Sequence, residues 1–177
     1  MTRHRDLPKF SRLEGVVSDR VLDAARAASR ALTKAGIPHA LIGGIAVGAY
    51  GYMRATKDVD FVVGENGFVH HGPIVTFAPG VPINIGGVPV DILSDDGVDE
   101  QTEEPVFDGD VPFVSIEALV YLKLVAFRRR DQEDVVELLK AGIDEDVVRE
   151  YLEDGDRLDE RLVQRFDQLC ERADTED

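Results

Sequence analysis

The sequence predicts an α+β fold, with strands and two helices mixed through residues 18–114 and helices alone after that. Two observations carry this expectation. Asp58-Val-Asp-Phe-Val-Val63 is a β-rich run closed by Gly64 and Gly67, whereas from Ser115 onward apolar residues recur at helical spacing. The 177 residues, 44% of them hydrophobic, are enough for one ordinary core with a small appended helical lobe.

Residues 1–17 lack periodicity and are expected to form a flexible arm. Val21, Leu22, Ala25, Ala28 and Leu32 then mark a helix over about 18–35, with Ser18 as its N-cap and Gly36 and Pro38 as its stop. His39–Ile42 reads as a short buried strand. Gly43-Gly44 breaks it, and residues 45–52 have the small-residue composition of a helix packed closely on a sheet. After the 58–63 strand come strands around 74–77 and 83–85. Gly86-Gly87 suits a two-residue hairpin turn leading into Val88–Leu93, where Pro89 favours an edge position. His70-His71 reads as exposed loop. Residues 94–111 are acidic and read as a solvated loop with at most a short edge strand.

The lobe spans 115–172. Ser115 caps a helix bearing Leu119, Leu122 and Ala126 and ending in Arg128-Arg129-Arg130, where cations suit the negative end of the dipole. Asp131 and Asp134 open a second helix in the manner of a capping box, and helices at about 145–153 and 158–172 precede an acidic tail, 173–177.

The formal charge of −15 opposes binding of a long polyanion, because nucleic-acid affinity rests on cations that displace counterions from phosphates. No stretch approaches the ~18 apolar residues of a membrane span, so a soluble cytoplasmic protein is expected. Cys170, the single cysteine, excludes an internal disulfide and a thiolate zinc cluster, and reads as a passive residue.

Asp-x-Asp pairs occur at 58/60, 108/110, 144/146 and 154/156, and only the first lies in an apolar strand. Strand alternation sends Asp58 and Asp60 to one face, and Asp91 adds a third carboxylate from a separate strand. Carboxylates held so close repel unless a cation neutralises them, and an all-oxygen ligand set suits Mg²⁺ or Mn²⁺. If the two strands are neighbours, the three acids converge as two-metal phosphoryl or nucleotidyl transfer requires. The Gly43-Gly44 turn lets backbone approach a phosphate, and the helix after it presents free N–H groups.

Ile42-Gly43-Gly44, thirteen intervening residues, Asp58-Val59-Asp60 and a later Asp91 resemble the signature of the polymerase-beta-like nucleotidyltransferase superfamily. Arg54-Ala55-Thr56, and Lys123-Leu-x-Ala126 with Arg129-Arg130-Asp131-x-x-Asp134, are similar to its small stand-alone prokaryotic members, including abortive-infection and toxin–antitoxin types. The resemblance covers about residues 20–140. It implies the nucleotidyltransferase fold, a small mixed sheet with helices on one side. It also implies Mg²⁺-dependent transfer of an NMP, expected to be AMP, from an NTP to a hydroxyl of a small molecule or protein.

On that reading Asp58, Asp60 and Asp91 are catalytic and metal-binding, and Gly43, Gly44, Arg54, Thr56 and Lys123 bind the nucleotide. Gly44 stands where many members carry Ser. Two alternatives stay open. One is a degenerate module serving as antitoxin or regulator, with a small helical partner protein. The other is an aminoglycoside nucleotidyltransferase whose acidic loop, 94–111, attracts a polycationic acceptor.

Overall fold

A computed structural model describes residues 7–94, 104–155 and 159–176. Eight strands and six α-helices follow one another as α1 (Asp19–Lys34), β1 (His39–Ile42), α2 (Gly43–Tyr50), β2 (Val59–Val63), β3 (Phe68–His71), β4 (Ile74–Phe77), β5 (Asn84–Ile85), β6 (Val88–Ser94), β7 (Val106–Asp108), β8 (Val111–Phe113), α3 (Ile116–Ala126), α4 (Arg129–Lys140), α5 (Glu145–Glu153) and α6 (Glu160–Thr175). The main sheet has the order β5-β6-β2-β1-β8-β7, and β3 with β4 forms a separate hairpin. The sheet is mixed. β2 runs antiparallel to β1 and parallel to β6, while β1 is parallel to β8.

Alternation explains the core. Val59, Phe61 and Val63 of β2 and Val88 and Val90 of β6 are buried on one face, whereas Asp60, Pro89 and Asp91 take the other, together with Val62, which is buried there as well. Helix α1 buries Val21, Leu22, Ala25, Ala28 and Leu32 and crosses β1, β2, β5, β6 and β8. Its N-cap is Ser18, without a side-chain capping hydrogen bond. Helix α2, almost wholly buried, packs on β1 and β2, and the Tyr50 hydroxyl donates to the Val114 carbonyl (2.7 Å), tying it to the start of α3. The buried apolar residues, from Phe10 to Leu169, form one continuous core.

Several expectations change. Residues 1–6 of the expected arm lie outside the described residues, but 7–17 are packed. Phe10, Leu13 and Val17 are buried, Arg26 stacks on the Phe10 ring, and Arg12 donates to the Ala49 carbonyl (2.8 Å). Phe10, Leu13 and Val17 stand at i, i+3 and i+7, a helical spacing confined to so short a run that only the single 3-10 turn Phe10–Leu13 forms from it. His70 and His71 lie on β3 rather than a loop, exposed as expected. Strand β6 is not an edge, since β5 flanks it. That flank is two residues long and Pro89 sits opposite Asn84 at its end, where there is little ladder to interrupt. Of the acidic stretch 94–111, residues 95–103 lie outside the described residues, and its second half forms β7 and enters β8. Helix α6 runs on through Thr175, into the expected tail.

Arg128-Arg129-Arg130 does not end α3. Phe127 turns the chain with a left-handed φ of 46°, and the arginines open α4. Arg165 holds this turn by stacking 4.3 Å from the Phe127 ring centroid and donating to the Leu124 carbonyl (2.7 Å). Arg128 is the N-cap and Asp131, in the first turn of α4, accepts from the Arg128 backbone N–H (3.1 Å). The capping role expected of Asp131 is therefore met from inside the helix rather than at its start.

A buried ion cluster fastens the helices to the sheet side. Asp134 is fully buried and receives two hydrogen bonds from Arg54, Nε at 2.7 Å and Nη2 at 2.9 Å, and one from Lys123 Nζ at 2.7 Å. Lys123 also reaches Asp131 (3.0 Å). Burial by itself would raise the pKa of Asp134, but the hydrogen bonds and charges of Arg54 and Lys123 reverse that and hold it below the usual range. Removing one member of such a cluster strands the others. Asp134→Ala is expected to cost about 3–5 kcal/mol, well above a surface Asp→Ala control such as Asp174→Ala, as read from urea unfolding. A cost indistinguishable from that control would show that the cluster does not hold the lobe.

Candidate metal and nucleotide site

The site is built by strand register. In the parallel pairing of β2 and β6, Asp60 lies opposite Asp91, and directly paired residues project to one face. Asp58 precedes β2 by one residue, two positions from Asp60, and shares that face. Ligand oxygens of Asp58, Asp60 and Asp91 consequently lie within 4.8 Å of one another. The three acids that the sequence placed on two strands do meet, on the same side of the sheet.

Their surroundings differ. Asp91 is exposed and Asp60 half-buried. Burial, followed by the charges of Asp58 and Asp91, pushes Asp60 up to about 6, against a smaller opposing pull from Lys123 and Arg54. Thr56 donates its hydroxyl to Asp58 Oδ1 (2.8 Å), which orients that carboxylate.

The two glycines have distinct reasons. Gly43 takes φ +65°, and a Cβ there would lie 2.0 Å from Asp60 Oδ2, so only glycine leaves room for this carboxylate. A Cβ on Gly44 would lie 2.8 Å from Thr56 Oγ1 and 3.1 Å from Arg54 Nη1. The glycine turn is thus wrapped by Asp60 on one side and by Arg54 and Thr56 on the other. Arg54 spends Nε and Nη2 on Asp134 and keeps Nη1 toward Gly44 and the N-terminus of α2.

Lys123 stands apart from the other expected nucleotide ligands. It is buried between Asp131 and Asp134, close enough to Asp60 to act on it electrostatically, and its ammonium is committed to those two carboxylates. Asp131 and Asp134, expected at a helix start and within the motif that carries the family resemblance, prove to be the partners of Lys123 and Arg54. The available signal was their spacing with Val135 and Leu138 at i, i+3/i+4 and i+7, which puts them on the buried stripe of α4. Cys170 is passive as expected. Burial and then Glu145 push its thiol up to about 12, far from a reactive thiolate.

The chemistry of the donor set fits a hard divalent cation. All three groups are carboxylates, their mutual repulsion is visible at Asp60, and an exposed side at Asp91 leaves room for water or phosphate.

No family model and no curated protein matches the chain. Among solved structures, an antigenic nucleotidyltransferase-like protein from Paracoccidioides brasiliensis is similar over 89% of this chain and 90% of its own, with a TM-score of 0.54 and 14% identity. At that identity the likeness speaks to the fold, and the fold is the α+β nucleotidyltransferase fold. Among the described residues, no helix is long and apolar enough to cross a membrane.

Two outcomes are expected. Because a cation must displace the Asp60 proton when the pH is below about 6, Mn²⁺ affinity measured calorimetrically should be flat above pH 7 and fall as pH drops through 6. Affinity independent of pH from 7 to 5 would contradict the site. Gly43→Ala should dislodge the Asp60 carboxylate and abolish that binding, with a stability loss of about 1 kcal/mol or more from the left-handed backbone; undiminished binding would rule out the close approach.

Proposed function

We propose that the protein is a Mg²⁺-dependent nucleotidyltransferase that moves an NMP from an NTP to a hydroxyl. One observation carries this reading: Asp58, Asp60 and Asp91 meet within 4.8 Å of one another beside a glycine turn that opens a helix. The general likeness of fold supports it.

Asp58, Asp60 and Asp91 would hold the metal. When bound, Mg²⁺ would supply positive charge to the triphosphate and lower the pKa of the attacking hydroxyl. Gly43 and Gly44 admit phosphate oxygens to the backbone N–H groups at the start of α2, and Arg54 Nη1 donates from beside them. Thr56 keeps Asp58 oriented. Asp91, the exposed member, faces the acceptor and takes its proton as the acceptor oxygen bonds to the α-phosphorus. The bond from that phosphorus to the bridging oxygen breaks, and pyrophosphate leaves.

Lys123 acts from behind the acids as a positioning charge rather than as a direct phosphate ligand. AMP is the proposed transferred group, a small molecule or a protein the acceptor, and the cytoplasm, where NTPs are made, the proposed location. The alternative of a degenerate module is the weaker reading, because the three acids lie within 4.8 Å of one another beside the glycine turn.

Asp60→Asn should retain the fold by circular dichroism and abolish Mg²⁺-dependent pyrophosphate release from ATP, a loss of at least ~10³-fold for a residue that acts on the reacting phosphate. Activity within a few-fold of the parent protein would refute the assignment.

A further inference from the structure

Residues 66–90 contain no Asp, Glu, Lys or Arg, in a chain of which 31% is charged and whose formal charge is −15. This run includes the β3–β4 hairpin, which stands outside the main sheet. All four residues of β4 are exposed, among them Ile74 (61%), Val75 (53%) and Phe77 (40%). Among the described residues β4 pairs only with β3, so its other edge presents unpaired backbone groups next to apolar side chains. Such an edge is a template for another strand.

We infer that β4 is the contact through which two copies of this chain associate, edge to edge and antiparallel. The charge distribution selects the occupant. Two chains of −15 repel wherever acidic surfaces meet, and β4 lies in a stretch where identical surfaces bring no charge together. A cationic partner would instead be drawn to the acidic remainder of the surface. A two-fold axis normal to the hairpin, level with Thr76 and midway between the two paired edges, sets Thr76 opposite Thr76 of the second copy. It sets Val75 opposite Phe77 of the second copy, twice, as an isologous contact requires. Cross-strand pairs of this kind are favourable, and like charges set directly opposite are not.

The inference is independent of the proposed activity and is tested on the full chain. Sedimentation equilibrium from low to high micromolar concentration should give twice the chain mass, with association strengthened by KCl as the acidic surfaces are screened. Thr76→Glu and Thr76→Lys each alter one exposed side chain. Each alone should weaken dimerisation by roughly tenfold or more, a change of about 1.4 kcal/mol. An equimolar mixture of the two should restore it. A monomeric parent protein, association weakened by KCl, or a dimer indifferent to both substitutions would overturn the inference.

Discussion

Everything at this site depends on the repulsion among three carboxylates that strand register forces together. Asp60 and Asp91 are direct neighbours across β2 and β6, and Asp58 follows from alternation along one strand. Their backbone positions cannot separate without shifting a strand whose opposite face holds fully buried Val59, Phe61 and Val63. The core therefore fixes the acids, and the penalty appears at Asp60, whose proton is retained up to about pH 6.

The protein does not relieve that repulsion with its own cations. Arg54 and Lys123 lie nearby, but Asp131 and Asp134 match them one for one in a buried cluster. What reaches Asp60 from the two cations is smaller than what burial, Asp58 and Asp91 impose. The cluster serves geometry. Asp134 takes two of the three guanidinium nitrogens of Arg54, so the third is aimed at the glycine turn, and Lys123 anchors α3 to α4 behind the acids. Asp134 joins β-sheet side and helical lobe at a single buried point, and the left-handed Phe127 between α3 and α4 sets the angle that brings its carboxylate there.

The parts legible in the sequence were those written in local pattern. β1 and β4 fall on the expected residues, α1, β2 and β6 within a residue at each end, and the Gly86-Gly87 hairpin turn is present. The site acids were legible because only one Asp-x-Asp pair lay in an apolar strand. What local pattern does not encode was missed. The packing of residues 7–17 rests on three apolar residues at i, i+3 and i+7, too short a run to stand out as a helix, and β3 was hidden by its two histidines. The turn at Phe127 depends on Arg165, thirty-eight positions away in sequence. The Arg54–Asp134 pair joins residues separated by 80 positions, beyond the reach of any periodicity. Lys123 was legible as a helix residue near an apolar stripe, but its two carboxylate partners only emerge from the packing of α3 on α4.

The same energetics bear on whether the fold carries an active or a vestigial site. At 14% identity the similar solved structure speaks to architecture alone, and the residues of this chain carry the rest. A scaffold kept only for binding another protein has no use for three converging acids. Changing Asp60 to a neutral residue would remove both its burial penalty and its repulsion with Asp58 and Asp91. Retaining it keeps a half-buried, repelled carboxylate in place, and Gly43, relaxed at a left-handed φ that suits glycine, leaves the space that carboxylate occupies. A repelled aspartate beside a glycine that makes room for it is coherent when a divalent cation completes the arrangement.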